Sequence, residues 1–140
     1  MFLFRGRLAG LVLATFLITA LSLSAETFAA AQSRDSNASA RGSIRLNPGA
    51  KTVCFSLHWS RIAPPFAAHI HRGSVGVTGP IVVTLFNRQL SPGIHSARGC
   101  VRNVSPTLIK SIIRNVRGYY INIHNHPFPD GAIRFQLHRI

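Results

Sequence analysis

Between Lys51 and Trp59 every second residue is large and apolar. Val53, Phe55, Leu57 and Trp59 alternate with Cys54, Ser56 and His58. A period of two is the geometry of a β-strand, whose successive side chains point to opposite faces, and it cannot be laid along one face of a helix. The segment therefore predicts a strand with one face buried and the other outward. Shorter runs of the same kind surround it. Ser43–Leu46 precedes the Asn47-Pro48-Gly49 turn, and Ala67–His71, Ile81–Phe86 and Ser96–Val101 follow, set apart by Pro64-Pro65 and recurrent glycines.

The period changes once. Leu108, Ile109, Ile112, Ile113 and Val116 recur at the spacing of one helix face. Ser105 suits the N-cap and Pro106 the first helical position. Arg114 and Arg117 fall where the helix dipole favours cations, and Gly118 is placed to end the helix. Tyr119–His124 then alternates again, and Ala132–His138 is expected to return as the last strand. Pro127-Phe128-Pro129-Asp130-Gly131 is expected to be the connection, because neither proline offers an N–H to a ladder and Asp-Gly suits a turn. The sum predicts an all-β chain, an antiparallel β-sandwich or barrel of immunoglobulin-like or Greek-key type, with one short inserted α-helix.

Ahead of this domain lies a segment with the grammar of an export signal. Arg5 and Arg7 precede an apolar run from Leu8 to Leu23, and Ala29-Ala30-Ala31 offers small residues for cleavage before Gln32. The reading is a signal peptide over 1–31, a flexible lead-in over 32–41 and a β-sandwich domain over 42–140. The apolar run is short for a spanning helix, which needs about 20 residues. An uncleaved anchor is the alternative; after cleavage no membrane span is expected. The location that follows is secreted or periplasmic. In such an oxidising compartment Cys54 and Cys100 read as one disulfide, with two free thiols the alternative.

Charge is lopsided: 16 Lys and Arg stand against three acidic residues, a formal net charge of +13 with the histidines neutral. Such a surface favours acidic partners, an acidic envelope polymer among them. The arginines are scattered singly along strands and loops, which argues against a specific nucleic-acid site. Scarcity of carboxylates also argues against hydrolytic chemistry, since beyond the leader Asp35 falls in the lead-in and Asp130 in a turn. The glycines between Arg72 and Pro80 do not make a phosphate loop either, because a β-branched strand follows them where a helix N-terminus is needed.

The histidines carry the site-like signal. His69 and His71 are two apart on one strand and share a face, and Tyr120, Asn122 and His124 share a face near the other end, with His126 continuing the row. If these strands pair, three or four imidazoles converge. Neutral imidazole suits copper and zinc, so His69, His71 and His124 are candidate metal ligands. The competing reading is that His and Asn on paired strands satisfy one another and the backbone with no metal.

Ala68-His69-Ile70-His71, Gly79-Pro80-Ile81-Val82-Val83-Thr84-Leu85, Gly99-Cys100-Val101 and the terminal Tyr119–His124 and Phe128–Leu137 segments stand together in the order of the chordin-type (CHRD) domain. From Gly42 to His138 the chain resembles that family, except that Phe135 stands where the family commonly has Gly. The resemblance implies an extracytoplasmic β-sandwich module with no established catalysis or cofactor, binding an unknown protein or serving a structural role. The alternative function is copper or zinc binding through the three histidines. The His-x-His strand is also distantly similar to the copper strand of copper-zinc superoxide dismutases, but the carboxylate and bridging histidine of that site have no counterpart here.

Overall fold

A computed structural model of the protein describes residues 23–27, 32–33 and 37–139. Residues 1–22, the main part of the expected export signal, lie outside the described residues. Among those described, the strands in chain order are β1 (Leu23–Thr27), β2 (Gln32–Ser33), β3 (Ser39–Asn47), β4 (Thr52–Ser60), β5 (Pro65–Arg72), β6 (Ile81–Asn87), β7 (Ser96–Val101), β8 (Tyr119–Asn125) and β9 (Phe128–Gln136). The helix α1 (Pro106–Arg114) lies between β7 and β8.

The strands form two antiparallel sheets, one ordered β1-β3-β4-β7 and the other β2-β9-β8-β5-β6. The alternation explains the layering. Val53, Phe55, Leu57 and Trp59 of β4, with Ile44 and Leu46 of β3, meet Ala68, Ile70, Ile121, Ile123, Ile133 and Phe135 of the second sheet in one apolar cluster. Fully burying each such branched or aromatic side chain contributes about 1.5–3 kcal/mol. The result is the all-β sandwich with one helix that the periodicities predict. Phe135 fills this core at 1% exposure, opposite Ile121.

The helix buries Ile109 and Ile112, with Leu108 and Ile113 packed at its flanks, and Val116, expected on the same face, is buried from just beyond the helix end. Ser105 occupies the N-cap position but makes no side-chain cap; its carbonyl accepts the Ile109 N–H at 3.0 Å instead. The helix ends at Arg114, ahead of Gly118, and Val116–Gly118 forms a separate single 3-10 turn.

Cys54 and Cys100 are directly opposite across β4 and β7 and form a disulfide, with Cα atoms 3.9 Å apart. The bond lies on the face of its sheet away from the apolar cluster, because Val53 and Phe55 on either side of Cys54 point inward.

Two segments depart from the expected boundaries. The lead-in expected over 32–41 is partly strand. Gln32–Ser33 pairs with β9, and Ser39–Arg41 belongs to β3, with Ala40 in that strand and Ala38 just before it packed against the core. These small residues give too faint an apolar pattern to mark a strand. Likewise Leu23–Thr27, inside the span expected to be removed with the export signal, pairs with β3 from Thr27↔Gly42 to Leu23↔Leu46.

The terminal hairpin also turns earlier than expected. Its turn is His126-Pro127, closed by the Phe128 N–H donating to Asn125 Oδ1 at 2.9 Å, and β9 begins at Phe128. Pairing jumps from Asn125↔Phe128 to Ile123↔Ile133, so residues 129–132 stand opposite His124 alone. Pro129 is tolerated there because a bulge asks no ladder hydrogen bond of it. Gly131, at φ +131°, supplies the conformation that the bulge requires.

Candidate metal centre

The site is built on the outer face of the five-stranded sheet, where β5 and β8 pair. Ala68 and Ile70 face the core, so His69 and His71 face outward. Across the ladder His71 is opposite Tyr120, His69 is opposite Asn122, and Ala67 is opposite His124. His124 is therefore the diagonal neighbour of His69, close enough for long side chains to touch. The register brings the three predicted imidazoles together: each offers one ring nitrogen, and these atoms all lie within 4.8 Å of one another. Among the described residues no carboxylate or thiolate joins the group.

Hydrogen bonds show which ring nitrogens are already engaged by the backbone. Nδ1 of His71 lies 2.9 Å from the Gly79 carbonyl oxygen, and Nδ1 of His124 lies 2.8 Å from that of Pro129. A carbonyl has no proton to give, so both Nδ1 atoms carry hydrogen and both Nε2 atoms present a lone pair. Nε2 of His124 is 3.1 Å from Nδ1 of His69, which donates to it. Nε2 of His71 is buried and has no partner. An acceptor left without a donor in the interior carries a desolvation cost of about 1–3 kcal/mol. A metal ion would relieve that cost and, with His69 carrying its proton on Nε2, would draw on all three rings.

The surroundings of His69 and His71 disfavour the charged form of each ring. The pKa of His69 is lowered to about 4, first by burial, then by His124 and His71. That of His71 is also lowered, chiefly by burial, with His124 and Arg134 adding to the effect against the raising influence of the Gly79 carbonyl. Neutral imidazole is the form that ligates metal.

Tyr120 packs flat on His71, with ring centres 4.8 Å apart and planes 11° apart, and its ring also carries the Arg134 guanidinium at 3.5 Å. The Tyr120 hydroxyl accepts the Gly79 N–H at 3.2 Å. Gly79 thus braces His71 directly and Tyr120 through its hydroxyl. Asn122 donates to the Asp130 carbonyl at 3.0 Å, so two consecutive carbonyls of the β9 bulge, at Pro129 and Asp130, hold His124 and Asn122. Carbonyls behind the imidazoles orient them as second partners do in metal sites.

His126 does not join the other three. The chain turns after Asn125, which carries the exposed His126 ring away to Gln89 Oε1 at 2.9 Å and to Phe66, 5.2 Å between ring centres. The glycine stretch after Arg72 is a turn leading into β6, as its context predicts, with Gly76 at φ +80°. Sequence reasoning overlooks the orienting carbonyls of Gly79, Pro129 and Asp130, because a backbone acceptor leaves no residue-type signal. Gly79-Pro80 is the nearest to one, since it marks a constrained turn beside the histidine strand.

No curated protein and no solved structure matches this chain. The model of the CHRD domain family matches residues 19–137, a span that takes in all nine strands and the three histidines and begins well upstream of Gly42. The chain belongs to the CHRD domain family.

Proposed function

We propose that this CHRD-domain protein acts outside the cytoplasm as a non-enzymatic binding module whose ligand is copper or zinc, held by His69, His71 and His124. One observation carries the reading: Nε2 of His71 is buried without a hydrogen-bond partner, in a ring that offers a nitrogen within 4.8 Å of those of two other imidazoles. Three neutral imidazoles suit copper or zinc and leave a coordination position open to water or a fourth ligand. The export-signal grammar and the Cys54–Cys100 disulfide support the location. Three acidic residues in the whole chain supply little general acid–base chemistry, which supports a binding role.

The test is calorimetric titration of untagged, chelator-stripped protein with Cu²⁺ and with Zn²⁺ near neutral pH. One saturable equivalent is expected, lost in His71→Ala and in His124→Ala and weakened in acid, because protonated imidazole cannot ligate. Absence of saturable binding, or binding indifferent to both substitutions, overturns the proposal.

A further inference from the structure

We propose that the turn from Arg72 to Ile81 is a docking tip for an anionic lipid bilayer surface. Three of the four exposed large hydrophobic residues among those described fall within it: Val75 at 70% exposure, Val77 at 53% and Ile81 at 51%. Single exposed aliphatics are ordinary on a protein surface, but three within seven consecutive positions mark a surface that is meant to be covered.

The turn is braced, so these side chains are held out at little cost in order. The Val77 N–H donates to the Ser74 carbonyl at 3.0 Å, with Gly76 at φ +80°, which places Val75 at the tip. Below the tip, the Arg72 N–H donates to Pro80 and the Gly73 N–H to Gly118. Arg134 donates to the Ser74 carbonyl at 2.8 Å, and Gln136 to that of Gly73 at 2.8 Å.

Charge selects the partner. Arg72 is exposed at the base, Arg134 reaches the Ser74 carbonyl, and the Arg117 carbonyl shares the Gln136 donor with that of Gly73. The segment from Arg72 to Ile81 holds no acidic residue, and the whole chain holds three against 16 cations. A soluble polyanion would satisfy the arginines but offer nothing to two valines and an isoleucine. The headgroup boundary of an anionic bilayer offers both, with acidic groups for the arginines and the edge of the acyl region for the aliphatics.

The experiment sediments chelator-stripped full-length protein with vesicles of phosphatidylcholine alone, and of phosphatidylcholine mixed with phosphatidylglycerol. Binding is expected to the mixed vesicles only, and added salt should weaken it. Val75→Gln/Val77→Gln should weaken binding about tenfold, and Arg72→Gln about fivefold. All of these side chains are exposed, so the thermal midpoint should stay in place. Failure to bind mixed vesicles overturns the proposal. Undiminished binding by the valine double variant, with competition by soluble polyglutamate, assigns the interaction to charge alone and overturns it equally.

Discussion

Nδ1 of His71 donates to the carbonyl oxygen of Gly79 at 2.9 Å, and Gly79 is a position where no side chain fits, because a Cβ there would overlap the Arg72 carbonyl oxygen. That oxygen belongs to backbone next to His71, so it cannot swing away as a flexible side chain would. In Gly79→Ala the turn must therefore shift, and the His71 ring loses the acceptor that fixes its tautomer. Metal affinity is expected to fall about 10–100-fold, the usual effect of removing an orienting partner. Calorimetric titration of the variant beside the parent checks this, with circular dichroism showing that the sandwich remains folded. Affinity within a factor of two of the parent would show that the carbonyl does not orient the ring.

Acid should loosen the fold through the same cluster. His69 titrates near 4 in the folded chain against 6.5 ordinarily, because burial and then His124 and His71 disfavour its charged form. Between those values the unfolded chain binds the proton and the folded chain does not, so stability rises with pH across the window. The contribution is fully present above 6.5 and is lost as the pH falls toward 4. Because the ring is only partly buried, solvent screening reduces its worth to about 1 kcal/mol. Urea midpoints measured across this range should show the slope, and His69→Gln should flatten it. A parent protein with a flat profile would contradict the pKa assignment.

The disulfide joins directly opposed residues of neighbouring strands, Cys54↔Cys100, at a sequence separation of 46. Its effect on stability is expected chiefly through the unfolded chain, which loses the freedom of the loop between the two cysteines. Cys54→Ser/Cys100→Ser should lower unfolding free energy by about 2–4 kcal/mol. The ladder between β4 and β7 should remain, because its hydrogen bonds are backbone. Denaturation of the double variant, and of the parent with and without reductant, measures the difference. An unchanged midpoint would show that the bond is dispensable to the sandwich.

Much of this architecture is legible in the residues, for a definite reason. Period two fixes side-chain parity, so Val53 to Trp59 and Ile121 to Ile123 announce their buried faces, and Ser96–Val101 forms the strand its pattern predicts. Parity also groups His69 with His71 and Tyr120 with His124. It cannot say where a row stops. His126 shares the parity of His124 but lies beyond the point where the chain turns at Asn125. Nor does parity reveal the bulge: Asp130-Gly131 reads as a turn because the conformational freedom that a turn needs is the same freedom that a bulge uses. Residues as small as Ala38 and Ala40, at and just before the start of β3, leave almost no apolar pattern, so that start shows only once its neighbours are in place.

The bulge itself supplies a last test. Gly131 sits at φ +131°, and a Cβ there would overlap the Asn122 carboxamide, whose Nδ2 donates to the Asp130 carbonyl at 3.0 Å. Gly131→Ala therefore meets both backbone strain, about 1–3 kcal/mol, and a collision with a buried side chain. Asn122→Ala alone leaves the Asp130 carbonyl without its side-chain donor, a loss of about 1–3 kcal/mol. Together the two substitutions should cost less than their sum by at least about 0.5 kcal/mol, because truncating Asn122 opens the space that the new methyl occupies. The double-mutant cycle is read by urea denaturation of all four proteins. Because the neighbouring Pro129 carbonyl holds His124, Gly131→Ala should also weaken copper or zinc binding, and additive energies with intact metal affinity would show that the bulge carries neither role.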